Sequence, residues 1–388
     1  MSRFSVICAL GWLACSSILT HHTFSDEPAQ RDRFAGFPKT NQYRPGRRSM
    51  KVITSDGLTG LIRPKWTRSI SELGRNPKIF RRNGKIFIVF SHLDGHRNRR
   101  FEATGECRVL CSDDEGKSWS TLPSQPGDQQ DYEFVVANDT IYRYEFAGRK
   151  QTRVRTSSDG VHWSPPVDVY RPAFWLWGVV YDPASKMFWC PAHAIPHAGT
   201  SHQRQIHLIK SEDGVQWDFV STVAPFENAS ESTLRFEEDR SMVIVIRRKY
   251  GDNHTVAVAN RPYREWALTD RSRFIEGHHF FEIGGMTFLP SRAAYRGDDP
   301  RILSNPNLYG ARRPYSVIYR FGEDRQIKPW AIMDSMGDCS YASLLETRDE
   351  ILCVYYSQHE DKVSKIFLCA YDKQKFLAGT ADDGLGPK

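Results

Sequence analysis

The sequence predicts an all-β chain folded as a ring of small antiparallel sheets, a six-bladed β-propeller. Three observations carry this. A short motif recurs, short alternating strands fill the space between its copies, and no 12-residue stretch has helical periodicity. The motif is first met as Ser112-Asp113-Asp114-Glu115-Gly116-Lys117-Ser118-Trp119. It returns as Ser157-Ser158-Asp159-Gly160-Val161-His162-Trp163 and as Ser211-Glu212-Asp213-Gly214-Val215-Gln216-Trp217. A worn fourth copy, Asn260-Arg261-Pro262-Tyr263-Arg264-Glu265-Trp266, keeps the tryptophan and loses the Asp-Gly corner. The tryptophans recur at roughly 50 residues, the length of one propeller blade.

Each copy reads as a hairpin corner. The carboxylate accepts backbone N–H bonds, Gly supplies a positive φ, and the Trp folds back to close the hairpin. Strand-like runs precede the copies, as in Arg108-Val109-Leu110-Cys111 and Gln205-Ile206-His207-Leu208-Ile209. Other strands follow clear turn signals: Arg82-Asn83-Gly84-Lys85 before Ile86 to Phe90, and Glu237-Glu238-Asp239-Arg240 before Met242 to Ile246. Roughly 310 residues at about 50 per blade give six blades. Five is the alternative, because the last copy is worn and 296–313 reads as an insertion.

The 388 residues, 40% hydrophobic and 12% aromatic, suffice for a large β-rich core. Residues 1–25 read as a secretory signal: Arg3, then a mostly apolar run from Phe4 to Leu19, then small residues around Thr23-Phe24-Ser25. A secreted or periplasmic location follows. Leu13-Ala14-Cys15 offers a lipoprotein site instead, against which Trp12 counts. No later stretch is long and apolar enough to span a bilayer. Residues 26–66 read as a linker with an edge segment joining the first blade, 67–375 as the propeller, and 376–388 as a disordered tail. The six cysteines after the leader lack zinc-ligand spacing and read as buried free thiols, with Cys107 and Cys111 on one strand face. Net charge is +7 and comes from scattered Arg residues. This argues against nucleic acid as a partner and suits an anionic small substrate.

The repeated motif resembles the Asp box of the sialidase superfamily, and the resemblance covers about residues 67–375. In detail the chain is similar to secreted bacterial sialidase-like propellers. The segments that carry this are the Asp boxes, Glu231-Ser232-Thr233-Leu234-Arg235-Phe236, Arg261-Pro262-Tyr263-Arg264-Glu265-Trp266 and Gly337-Asp338-Cys339-Ser340-Tyr341. Asp boxes are peripheral, so they imply fold and not activity. The resemblance implies a sugar carboxylate held by three guanidinium forks, which match its geometry and stay charged. Because that carboxylate repels an anionic nucleophile, it further implies a Tyr activated by a Glu, with a separate acid on the leaving oxygen.

Arg75, in Arg75-Asn76-Pro77, resembles the first arginine of an Arg-Ile-Pro motif, with Asn replacing Ile. Glu231 and Arg247 occupy the places of the Tyr-activating Glu and the second arginine; period-two alternation puts Arg248 on the opposite side from Arg247. Arg292 fits the third arginine, with Arg312 and Arg313 as alternatives. Tyr341, after an Asp-containing turn in the penultimate blade, fits the nucleophile. The acid is expected in the loop from Ser91 to Glu102, where Asp94 leads and Glu102 and His96 stand behind it. Tyr355 to Glu360 and the run Phe174-Trp175-Leu176-Trp177 are candidates for lining the central cleft or for the core. His193, His197 and His202 read as rim residues without metal-ligand context.

The expectation is an exported glycoside hydrolase that cleaves a terminal, sialic-acid-like sugar from a glycan or glycoconjugate. It needs no cofactor and no metal, although an Asp-rich turn could hold Ca²⁺ incidentally. The alternatives are a non-catalytic glycan-binding propeller, and a different glycosidase on the same scaffold working through Asp94 and Glu231.

Overall fold

The structure is a computed structural model. It describes residues 61–92, 105–123, 125–127, 132–147, 150–195, 204–224, 228–248, 253–295, 313–335, 337–360 and 363–380. Asp94, His96, Glu102, His197, His202, Arg312 and the leader of 1–25 lie outside them.

Six antiparallel sheets form a ring, one per blade. Strand β1 (Trp66–Ser71) precedes the first blade, which runs β2 (Arg75–Arg82), β3 (Lys85–His92), β4 (Gly105–Ser112) and β5 (Ser120–Thr121), with β6 (Gln125–Gly127) also paired to β4. The second runs β7 (Tyr132–Ala137), β8 (Thr140–Ala147), β9 (Gln151–Ser157) and β10 (Val167–Val169). In the third, β11 (Phe174–Trp175) and β12 (Val180–Asp182) both pair with β13 (Met187–Ala194), followed by β14 (Ile206–Ser211) and β15 (Asp218–Ala224). The fourth runs β16 (Ala229–Phe236), β17 (Met242–Arg248), β18 (His254–Ala259) and β19 (Ala267–Arg271). The fifth runs β20 (Phe281–Ile283), β21 (Met286–Tyr295), β22 (Arg313–Phe321) and β23 (Ile327–Ile332). The sixth runs β24 (Ser340–Glu346), β25 (Glu350–Ser357) and β26 (Lys365–Asp372), and ends on β1.

This closure corrects two expectations. The edge strand contributed from the amino-terminal side begins at Trp66 and joins the last blade, not the first: Trp66 pairs with Ala370 and Ser69 with Phe367. Pairing the two ends of the propeller in one sheet closes the ring and covers an edge that would otherwise be open. Tyr341 therefore opens the last blade and not the penultimate one. Helix α1 (Lys373–Ala378) also runs into the expected disordered tail. Asp372 caps it by accepting from Lys375 N at 3.0 Å, and Phe376 is buried beneath Tyr371 and Phe288.

The recurring motif makes the corner between the third and fourth strands of the first three blades. In each, the Ser hydroxyl accepts from the Gly N–H at 2.8 Å, from Gly116 to Ser112, Gly160 to Ser157 and Gly214 to Ser211. The Asp carboxylate closes the corner: Asp159 accepts from Val161 and His162, and Asp213 from Val215 and Gln216, all at 2.8 Å. Gly is required on two counts. Gly214 has φ +76, and a Cβ there would lie 2.8 Å from the Tyr142 ring of the preceding blade. Tyr144 of the second blade donates to Gly214 O at 2.9 Å, so the corners also join neighbouring blades. In the worn copy Tyr263 takes over: it is buried against Trp189 of the third blade, and its hydroxyl donates to Arg240 O at 2.9 Å. Among the described residues the six cysteines are all buried and none is in a disulfide.

Blade-to-blade burial gives the hydrophobic cores. Between the third and fourth blades, for example, Trp189, Leu208 and Ile206 meet Leu234, Ile244 and Ile246. Each such fully buried side chain contributes about 1.5–3 kcal/mol against exposure. A closed set of cores of this kind holds the inner strands rigidly around the axis.

Candidate functional site

The site is assembled from the first residues of the inner strands β2, β16 and β24, which are irregular there, and from the later residues of β17 and β21 beside them. Register shifts fall between Arg75 and Lys78 in β2, between Ala229 and Ser232 in β16, and between Ser340 and Ser343 in β24. A bulge leaves an extra residue unpaired and re-aims its side chain. Arg75, Glu231 and Tyr341 sit in or beside these bulges. Two bulge residues are left-handed without being glycine, Asn76 at φ 49 and Tyr341 at φ 48. Such conformations cost of order 1–3 kcal/mol each and persist where the surroundings fix them.

Tyr341 is 7% exposed and Glu231 4% exposed. The Tyr341 hydroxyl donates to Glu231 Oε1 at 2.9 Å. The other carboxylate oxygen accepts from Gly277 N at 2.9 Å and pairs with Arg247 Nη1 at 2.9 Å. Burial alone would raise the Glu231 pKa. Arg247, the Gly277 N–H and the Tyr341 hydroxyl outweigh it and hold the carboxyl below the usual carboxylate range. At neutral pH, Glu231 is an ionised acceptor aimed at a phenol. Gly277 is fixed by this packing: its φ is +63, and a Cβ would lie 2.7 Å from Ser340 Oγ and 2.8 Å from the Tyr341 ring.

The three arginines singled out in the sequence are brought into one cluster. Arg247 continues from Glu231 to Glu276, pairing with it through Nη2. Glu276 then pairs with Arg292 Nη1 at 2.8 Å. Arg292 donates through Nε to Cys339 O at 2.5 Å, and through Nη2 to Asp338 and the Tyr356 hydroxyl, both at 2.7 Å. Burial opposes its charge, but Glu276, Tyr356 and Asp338 more than offset this and hold its pKa well above the ordinary value. The Tyr356 hydroxyl donates to Asp338 at 2.8 Å, and the Arg75 guanidinium lies over the Tyr356 ring at 5.5 Å. Arg248 points away, as alternation requires, to Asn228 at 2.7 Å and Thr255 at 3.2 Å.

Beneath Tyr341 lies an aromatic and ionic floor. Trp177 packs on Tyr341 with ring centres 5.0 Å apart and on His279 at 4.9 Å. Lys78 Nζ lies 3.2 Å from Glu133 Oε1 and 2.7 Å from His279 Nε2. Burial drives the Lys78 pKa down despite Glu133, and likewise lowers that of His279. Of the aromatic run, Trp177 thus reaches the site, whereas Trp175 stacks on Phe146 at 5.4 Å within the core. His193 is not a rim residue: it is 2% exposed and packs near Trp175 at 5.3 Å.

Glu276, Asp338, Lys78, Glu133 and His279 were not singled out by sequence reasoning. The one local signal for Glu276 is a carboxylate between the apolar Phe274-Ile275 and Gly277, in a segment with no strand alternation. Among the described residues no group of three or more His, Cys, Asp or Glu is placed to hold a metal ion. No helix among them is long and apolar enough to cross a membrane.

No family model matches the chain, and no curated protein matches it by sequence. Solved structures do match its fold. A protein of unknown function from Dyadobacter fermentans DSM 18053 aligns at TM-score 0.60 with 16% identity, over 79% of this chain and 99% of that one. Trypanosoma rangeli sialidase aligns at TM-score 0.57 with 15% identity, over 78% of this chain and 55% of the enzyme. The same sialidase with 2,3-difluorosialic acid, described as a covalent intermediate, aligns at TM-score 0.55 with 14% identity, over 80% and 56%. This chain therefore spans about half the length of the sialidase. At these identities the likeness establishes architecture: the chain is a six-bladed β-propeller with the fold seen in sialidases.

Proposed function

We propose that the chain is a retaining glycoside hydrolase acting on the terminal sugar of a glycan, with Tyr341 as nucleophile and Glu231 as its base. The observation that carries this is the 2.9 Å bond from the buried Tyr341 hydroxyl to an ionised Glu231. A phenol is a weak nucleophile until an adjacent acceptor takes its proton. In the reaction, the Tyr341 oxygen bonds to the anomeric carbon as the bond to the leaving oxygen breaks. The Tyr341 proton passes to Glu231, and an acid, assigned to Asp94, protonates the leaving oxygen. Water then attacks the glycosyl-tyrosine, giving one proton to the acid residue, while Glu231 returns the phenol proton.

A second reading for the sugar itself, a sialic-acid-like acid held by its carboxylate, draws on Arg75, Arg247 and Arg292 lying together, and it requires Glu276 to give up Arg247 and Arg292. The likeness of fold to a sialidase trapped with 2,3-difluorosialic acid agrees with it. Action outside the cytoplasm, from the leader of 1–25, is part of the same proposal. The test is Tyr341→Phe on a panel of aryl glycosides. Loss of turnover with retained product binding supports the mechanism. Unchanged turnover refutes it, and binding without turnover in the wild type indicates a glycan-binding propeller.

A further inference from the structure

Two of the three arginines that gather at the site, Arg247 and Arg292, are already engaged by carboxylates of the chain. Glu276 sits between Arg247 and Arg292 and offers one oxygen to each. It is 4% exposed, and its backbone is held on both sides. Its N–H donates to Ser291 Oγ at 2.9 Å, while its carbonyl accepts from Arg292 N at 2.9 Å and Ser340 Oγ at 3.1 Å. The next residue, Gly277, is wedged against Tyr341. The segment thus has no slack with which to withdraw the carboxylate.

The donors tell the same story. Arg292 spends Nε on Cys339, Nη2 on Asp338 and Tyr356, and Nη1 on Glu276. Neither edge of its guanidinium keeps the two open N–H groups that a bidentate carboxylate requires. Charge gives a second, independent argument. Arg75, Arg247 and Arg292 are balanced by Glu231, Glu276 and Asp338. A sugar carboxylate added to this buried set would be an uncompensated anion, and an unpaired charge away from water is costly.

We propose that Glu276 is the specificity-determining residue of the site: a built-in carboxylate that fills the place a substrate carboxylate would take, and restricts the site to sugars whose anomeric carbon carries none. This rests on the Tyr341–Glu231 site being the place where sugar binds. It also preserves the reason for a tyrosine nucleophile, since the negative charge that would repel a carboxylate nucleophile now belongs to the protein.

The test uses 2-deoxy-2,3-didehydro-N-acetylneuraminic acid and its methyl ester, which differ only in the charge of the carboxyl group. Binding of each is measured by calorimetry to the wild type, Glu276→Gln and Glu276→Ala. The wild type should bind the ester at least as well as the acid. Neutralising Glu276 should tighten binding of the acid by at least about tenfold, since one like charge has been removed from a desolvated site. The wild-type measurement stands even where a variant fails to fold. A wild type that prefers the acid, or a folded Glu276→Gln protein that gains no affinity for it, overturns the proposal. Turnover of neutral aryl glycosides, abolished by Tyr341→Phe, reports on the glycosidase reading separately. No turnover of any neutral glycoside, together with the expected acid and ester affinities, would remove that reading and leave the role of Glu276 intact.

Discussion

Glu231→Gln tests the electrostatic centre of the site through stability, without knowledge of the substrate. Three donors converge on this carboxylate: the Tyr341 hydroxyl on one oxygen, and Gly277 N and Arg247 Nη1 on the other. An amide has one accepting oxygen. The arrangement that keeps Gly277 and Arg247 satisfied turns the amide NH₂ toward Tyr341 and reverses that hydrogen bond. Arg247 then keeps only one of its two paired anions. Breaking a buried ion pair by removing one charge costs about 3–5 kcal/mol; the retained amide oxygen and the second partner, Glu276, favour the lower end. Urea denaturation at pH 7 should therefore show a loss of about 3 kcal/mol at unchanged m-value. The pH dependence has a defined sign. The folded-state pKa of Glu231 is lowered, so its contribution is complete above the unfolded carboxylate value, about 4.3. It is lost as pH falls through the folded-state value, so the gap between wild type and variant must close in acid. A difference below about 1 kcal/mol, or a gap that widens in acid, would refute the reasoning.

Other expectations follow from the same geometry. Tyr341→Phe should abolish turnover, a loss of at least about 10² in kcat, with retained binding of product by calorimetry. Gly277→Ala should destabilise by more than about 1 kcal/mol in denaturation, since it pairs a disfavoured left-handed φ with a Cβ 2.8 Å from the Tyr341 ring. Lys78→Met leaves Glu133 buried with His279 alone and should cost about 3 kcal/mol; adding Glu133→Gln should restore part of it in a double-mutant cycle. Ser157→Ala in the second-blade corner should cost about 1 kcal/mol in stability and leave kinetic constants unchanged.

What was legible in the sequence divides along a physical line. The corner motif is local: Ser, Asp and Gly satisfy one another within a few residues, so spacing alone announced the repeat and hence the blades. Arg75, Glu231, Arg247, Arg292 and Tyr341 were proposed from motif order; the contacts between them place them in one connected network, and their roles are what the proposal puts to test. What the sequence hid depends on which strands meet across the ring. Glu276 gains its significance only because Arg247 and Arg292, from different strands, flank it. Nothing in the composition of residues 229–232 or 340–343 marks the bulges that aim Glu231 and Tyr341. The closing strand β1 was misassigned because pairing with β26 spans nearly the whole chain and leaves no local trace. His193 was misplaced at the rim because a histidine in a polar-looking run is indistinguishable, by sequence, from one buried beside tryptophan. The expected acid, Asp94, lies outside the described residues, and its role rests on the position of its loop.

The most direct test is covalent trapping. The protein is incubated with 2-deoxy-2-fluoro glycosyl fluorides of neutral sugars and with 2,3-difluorosialic acid, then digested and analysed by mass spectrometry. A glycosyl group on Tyr341, delivered by a neutral sugar, is the predicted result. A label on Glu231 instead, or turnover of a glycoside by a protein that carries no label at Tyr341, would contradict the assignment of the nucleophile.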